Sequence, residues 1–460
     1  MAVPCFPEIG GCPLFPPLEK DFDGQRIQVI QVSQVTAEGK GNPFRRLMAF
    51  LGPGLFLIGY NIGTGSVTTM ASAGSRWGMS LTWTVVLSCV FTYIGLLAFS
   101  RYTLVTGDTI LYAIRRRLPW GGAIGMFLLV AVTLAEFAGI TGLMAICVDL
   151  ILEWIRFATG LYNGAIKLTV TLALTAMLFW ALWRGSYTFL ENLLGLLVAL
   201  MGISFLITAA LLVPSWRAIV SGLVPRVPQE PDAALLVAGM AGTTFSSAIL
   251  YCRSITLKHK GWSVADSKHA LVDTIVSVTV MFALSIAVMI CAAGTLFVAG
   301  KPIEAAVDMV KTLEPLAGKF AITLFIAGVL GAGISSLIPT ILIGPWLIGD
   351  YINRPINPKS TSSRILVTVG ALIALGAPYF PPSIAKPVFL MILTMALLAV
   401  ILPFSTIAIT VLLNQKKYMK EHRSGPVMNI ACLSAIVFSL LMSYYAVKGL
   451  WEYVENMLPA

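Results

Sequence analysis

Residues Gly52 to Met70 read GPGLFLIGYNIGTGSVTTM, an apolar run of membrane length broken in its middle by Asn61, Gly63, Thr64, Gly65 and Ser66. In hydrocarbon an unpaired backbone N–H or C=O costs several kcal/mol, so a helix is interrupted at membrane depth only where protein or a wet cavity re-satisfies the chain. The stretch therefore predicts a broken first helix with a binding site at the break.

The rest of the chain agrees with a membrane setting. It has 460 residues, 57% hydrophobic and 11% charged, with a mean hydropathy of +0.87. A bilayer core about 30 Å thick takes about 20 apolar residues per helix. Eleven such runs can be placed, at 47–73, 80–104, 122–153, 165–183, 189–213, 233–257, 272–299, 317–349, 363–380, 385–413 and 426–450.

The net charge of +10 does not indicate nucleic acid, because the positive charge is sorted by side. With the N-terminus inside, 21 of the 31 Lys and Arg fall inside, including Arg115-Arg116-Arg117 and Lys416, Lys417, Lys420 and Arg423. This is the positive-inside pattern and predicts a cytoplasmic N-terminus and an external C-terminus. The clusters read as a solvated cytoplasmic face, with membrane lipid as neighbour.

Residues 1–44 hold six prolines and no sustained period, which predicts a flexible cytoplasmic tail ahead of a transmembrane domain at 45–460. The short alternating run RIQVIQVSQV at Arg26 to Val35 could pair as a strand or lie on the membrane. The seven cysteines, Cys5 and Cys12 in the tail among them, show neither metal spacing nor a disulfide framework, and the N-terminus has no signal-peptide pattern.

The sixth run is also interrupted by small and hydroxyl residues, GMAGTTFSS at Gly239 to Ser247. Either segment alone reads as a packing seam, where small side chains let backbones approach. Two at corresponding places in two halves point to a midplane site between inverted repeats. The expected fold is an all-α polytopic membrane protein with a 5+5 inverted repeat: helices one to five over 47–213, six to ten over 233–413, one and six broken, and an eleventh over 426–450.

Several motifs resemble the natural-resistance-associated macrophage protein (NRAMP) family of metal-ion transporters, whose members have the LeuT fold. They are Gly52-Pro53-Gly54 in helix one, TLAEFAG at Thr133 to Gly139, LYCRS at Leu250 to Ser254, ALVDTIV at Ala270 to Val276, GAGISS at Gly331 to Ser336 and LPF at Leu402 to Phe404. The resemblance covers residues 47–450 and implies alternating-access transport. It also exposes departures. Gly63-Thr64-Gly65-Ser66 stands where the family has Asp-Pro-Gly-Asn, Ser246-Ser247-Ala248 where it has Met-Pro-His, Ile401 where it often has glutamine, and Thr133 at an acidic position.

Hydroxyls and carbonyls alone supply neither the softness that selects transition metals nor the charge that selects Mg or Ca. His259, His269 and His422 all fall in cytoplasmic loops, so no metal ligand is assigned. The free N–H groups of a half-helix restarting after the break suit an anion. On that reading Asn61, Gly63, Thr64, Gly65 and Ser66 face Thr243, Thr244, Ser246 and Ser247 around a substrate, although membrane Ser and Thr equally bond back to their own helix. Glu136 stands alone near the centre of helix three and is suited to carry a coupling proton; its structural alternative is a neutral carboxyl bonded between helices. Ser335 and Ser336 could hold Na⁺ with helix-one carbonyls, or could simply be packing residues.

The leading expectation is a secondary transporter of the bacterial inner membrane, moving a small polar or anionic solute with H⁺ or Na⁺. The alternative is a divalent metal cation of the Mg or Mn type, and a third reading is a non-transporting sensor or scaffold. No cofactor is expected, and no nucleophile–base pair or phosphate loop suggests an enzyme.

Overall fold

The computed structural model describes residues 52–184, 187–212, 216–230, 232–300, 303, 306–354, 360–379 and 386–457. The tail, its cysteines and the Arg26 to Val35 run lie outside them. Among the described residues the chain is helical almost throughout. In order the helices are α1 (Gly52–Asn61), α2 (Thr64–Trp77), α3 (Thr82–Thr106), α4 (Ile110–Arg117), α5 (Gly121–Thr159), α6 (Gly164–Arg184), α7 (Tyr187–Leu211), α8 (Trp216–Ser221), α9 (Ala233–Thr244), α10 (Ser247–His259), α11 (Ser267–Ala292), α12 (Ala306–Tyr351), α13 (Thr361–Gly376), α14 (Pro387–Asn414), α15 (Lys416–Met419) and α16 (Pro426–Met457).

Nine helical stretches among the described residues are long and apolar enough to cross a membrane. Adding the interrupted pair α1 and α2 and the shorter α13 gives the eleven spans expected. The side chains that keep α14 helical are apolar nearly throughout, and Pro387 opens it where a missing N–H costs nothing. The short α4 carries Arg115, Arg116 and Arg117 in its last turn, where cations favour the helix dipole.

The packing carries the repeat. The first span lays α1 on α7, as the sixth lays α9 on α14; α2 packs on α11, as α10 packs on α3; α5 packs on α14, as α12 packs on α7. Each pair becomes the other when spans one, two, three and five are matched to six, seven, eight and ten. Among the described residues, spans three and eight, α5 and α12, form the most extensive helix–helix contact and join the two halves.

Both breaks are shorter than expected. In span one only Ile62 and Gly63 are non-helical, and Thr64 to Ser66 already belong to α2. In span six Gly239 to Thr244 stay helical in α9, and the chain opens only at Phe245 and Ser246. Glycines and hydroxyl residues remain helical here because span six is wholly buried inside the protein, and the helix already satisfies their backbone groups. Gly239 and Gly242 serve instead as the surface on which the backbone of α14 rests.

Candidate functional site

The two breaks meet. The Asn61 side-chain amide reaches from the end of α1 to donate Nδ2–H to the Thr244 carbonyl at 3.0 Å, and its other hydrogen goes to the Met281 sulfur at 3.0 Å. Helix ends leave carbonyls without intrahelical partners, and here the opposite half of the molecule supplies donors for them. Thr92 also donates to the Thr244 carbonyl, at 2.8 Å. With both amide hydrogens engaged, Asn61 Oδ1 is the acceptor left over.

Ser66 Oγ donates to the Asn61 carbonyl at 2.5 Å and lies 2.9 Å from Thr243 Oγ1, so a second pair of hydroxyls closes the same junction. Ser336 of α12 donates to the Gly59 and Tyr60 carbonyls at 3.2 and 3.1 Å. Gly63 is required by this approach, since a Cβ there would lie 1.4 Å from Ser336 Oγ. Ser246 caps α10 by accepting the Ala248 N–H.

Between the breaks lies a cavity of about 20 Å³, bounded by Glu136, Tyr60, Asn61, Gly65, Thr243 and Ser246, with Ser336 and Thr340 beside them. That volume holds about one water-sized particle. Glu136, 3% exposed, stands between Tyr60 and Thr340. The Tyr60 hydroxyl is buried, faces Glu136 and makes no hydrogen bond of ordinary length.

Of the residues expected at the site, Asn61, Gly65, Ser66, Thr243, Ser246, Glu136 and Ser336 therefore converge on the junction or its cavity, and Gly63 makes room for it. Thr244 joins it through its carbonyl, while its hydroxyl is buried without a partner. Two do not: Ser247 accepts from Ser405 of α14 at 3.1 Å, and Ser335 bonds back to Ala332 at 3.0 Å within its own helix. Thr64 opens α2, and its side chain is outside the described set. Ser336 Oγ lies against the helix-one carbonyls named for a Na⁺ site, whereas Ser335 Oγ is directed at a carbonyl of its own helix.

The sequence did not reveal Tyr60, Thr340, Met391 and Met395, all of which border the cavity. An isolated tyrosine, threonine or methionine in an apolar span carries no pattern. Ile401 is not among the cavity's neighbours, whereas Met391, Met395 and Leu398 of the same helix are. No histidine borders it either, and the described residues contain no group of three or more His, Cys, Asp or Glu suited to a metal.

A buried pair of charges underlies the first break. Arg253 of α10 donates to Asp273 of α11, to Ser100 at 2.8 Å and to Thr274 at 3.0 Å, while Asp273 accepts the Gly54 N–H at 3.0 Å. Both side chains are fully buried. The N-terminal turn of α1 is thereby tied to both spans six and seven.

Comparison with known proteins agrees with this architecture. The divalent metal cation transporter MntH of Caldanaerobacter subterraneus is 24% identical over 429 residues, covering 89% of this chain and 96% of its own. The MntH of Brucella suis is 26% identical over 447 residues, covering 92% and 94%. The manganese transporter of Eremococcus coleocola shares the fold with a TM-score of 0.70 at 17% identity, covering 88% of this chain and 87% of that one. The family model described as natural resistance-associated macrophage protein-like matches residues 54–448. The paired breaks, the repeat-related packing and that match lead to one conclusion: the chain is a LeuT-fold membrane transporter and belongs to the NRAMP family.

Proposed function

We propose that the protein is a secondary transporter of a divalent metal cation, working by alternating access around the Asn61–Thr244 junction. The observation that carries this reading is the cavity itself. Sites for organic solutes occupy about 300–1,000 Å³, whereas this one has about 20 Å³ and admits a dehydrated ion. A carboxyl group, Glu136, forms part of its wall, which opposes an anion and attracts a cation. The expected small polar or anionic solute has no comparable support, while the divalent-cation alternative also agrees with the names of the relatives.

Hard and soft cations differ in the donors they accept. The donors around the cavity are the Glu136 carboxyl, the Asn61 amide oxygen and the Thr243 and Ser246 hydroxyls. Glu136 is also the coupling residue: when a cation occupies the cavity its carboxyl is ionised, and when the ion leaves it takes a proton. Binding and release therefore exchange a cation for H⁺ at one place. The site sits in the bacterial inner membrane with the N-terminus cytoplasmic and the C-terminus outside, in keeping with the 21 inside Lys and Arg of 31.

Uptake into proteoliposomes tests the reading. Saturable accumulation of Mn²⁺ or Mg²⁺ that depends on a pH gradient is expected. Saturable uptake of an organic acid without any divalent ion would replace the substrate, and absence of all saturable flux would favour a scaffold.

A further inference from the structure

Two basic segments far apart in the chain meet at one end of the molecule. The first is Arg115 to Arg117, closing α4; the second is Lys416 to Arg423, between α14 and α16. Gln415 Nε2 donates to the Arg117 carbonyl at 3.2 Å across 298 residues of sequence, and the Arg117 guanidinium lies over the Tyr418 ring, 4.0 Å from its centre. From beneath, the buried Arg101 donates to the His422 and Arg423 carbonyls at 3.2 and 3.1 Å and holds the second segment in place. The three arginines thus share one patch with Lys416, Lys417, Lys420 and Arg423. Asp108 is taken up by Arg117, and Glu421 is the sole acidic residue within the two segments.

We propose that this patch binds the headgroup of an anionic phospholipid of the phosphatidylglycerol class, so that the protein holds a lipid of the adjoining leaflet against spans three, ten and eleven. The proposal concerns neither the cavity nor Glu136 and stands whichever solute is carried.

Lys and Arg at the ends of spans also serve simply to orient them. The arrangement here goes further. Arg116, Lys416 and Lys417 are exposed, and a cluster of about 4–8 such cations beside a span attracts anionic headgroups. Trp120, in the turn from α4 to α5, is 86% exposed and sits at a φ of 58°. The turn is closely packed, since a Cβ on Gly121 would lie 2.0 Å from the Ile114 carbonyl oxygen. An exposed indole fixed beside cations suits the headgroup level, where tryptophan is enriched. Apolar surface follows along the same spans: Val427 and Ile430 open α16 with exposed side chains, and Phe127 of α5 meets Phe404 of α14 edge to face at 5.2 Å. Cations, then an indole, then an apolar wall repeat the order of a phospholipid from phosphate to acyl chain. A soluble anion would use the cations alone.

Melting of the full-length protein in neutral detergent, titrated with phosphatidylglycerol, phosphatidylcholine or inorganic phosphate, tests this, because a bound ligand stabilises the fold. Phosphatidylglycerol should act at a concentration about tenfold or more below phosphatidylcholine, since each Lys or Arg near an anionic surface is worth about fivefold. Arg116→Gln/Lys416→Gln/Lys417→Gln should abolish that preference, and Lys167→Gln/Lys386→Gln, at the opposite ends of their spans, should keep it. Equal response to the two lipids, an undiminished preference in the triple variant or its loss in the control variant overturns the proposal. Inorganic phosphate stabilising as much as phosphatidylglycerol also overturns it, in favour of a soluble anion. Should the triple variant fail to fold, the wild type decides: the preference should vanish at about 0.5 M NaCl, where the screening length is about 4 Å, and its persistence there overturns the proposal.

Discussion

Asn61 Nδ2 donates to the Thr244 carbonyl at 3.0 Å, so the interruption in span one is bonded directly to the interruption in span six. The two repeats are joined at the point where each has given up helical hydrogen bonds. Movement of one half against the other must therefore break or rotate this bond. Asn61→Ala leaves a buried carbonyl short of one of its donors, at a cost of about 1–3 kcal/mol. Its melting temperature in detergent should fall by several degrees and its transport rate should drop, with Asn61→Leu behaving alike. Wild-type stability in both variants would show that the bond does not hold the halves together.

Gly63 and Ser336 make a second prediction. Gly63→Ala places a methyl 1.4 Å from Ser336 Oγ, which requires α2 or α12 to move and should cost about 1–3 kcal/mol. Ser336→Ala alone gives up the bonds to the Gly59 and Tyr60 carbonyls. Combining the two should recover part of the loss, with a coupling energy of about 0.5–3 kcal/mol as for residues in contact. Thermal unfolding of the four proteins measures it, and simple additivity would refute the contact.

The Arg253–Asp273 pair is fully buried. Removing one partner strands a charge and costs about 3–5 kcal/mol, while replacing both by apolar residues of similar size can be nearly neutral. Arg253→Met or Asp273→Leu alone should therefore sharply lower the yield of folded protein, and the double variant should recover much of it. A double variant worse than either single would mean that Asp273 is needed mainly for the Gly54 N–H.

Glu136 is the sole acidic residue around the cavity among the described residues. Glu136→Gln keeps shape and removes the exchangeable charge. The expected result is at least a tenfold loss of divalent-ion uptake, with the remaining flux independent of pH between 5.5 and 7.5 (roughly the range usable with vesicles) because no proton is exchanged at the site. Uptake with an unchanged pH profile would assign coupling elsewhere.

The fold was legible because a span is a long signal: about 20 apolar residues flanked by charges, repeated eleven times and sorted by Lys and Arg. The breaks were legible in place but not in extent. Gly, Ser and Thr mark where a helix can open, yet packing on α14 kept Gly239 to Thr244 helical, and only Phe245 and Ser246 gave way. The hydroxyl at Ser247 gave no hint that it would face Ser405, because direction around a wholly buried helix has no hydropathy signature. Met391 and Met395 were hidden for the same reason. A thioether in an apolar span looks like filling until the opposite wall of the cavity is known. Arg253 and Asp273 were visible within LYCRS and ALVDTIV, but their pairing needed α10 and α11 side by side.

The central claim is that a divalent cation occupies the junction between the breaks. Its most direct measurement is uptake of Mn²⁺ into proteoliposomes by the wild type and by Glu136→Gln. The account predicts saturable Mn²⁺ entry by the wild type, stimulated by an outward proton gradient (acidic vesicle interior), because the ion and H⁺ exchange at Glu136, and reduced at least tenfold in the variant. Proteoliposomes that hold folded wild-type protein and show no saturable entry of Mn²⁺, Cd²⁺ or Mg²⁺ would contradict it.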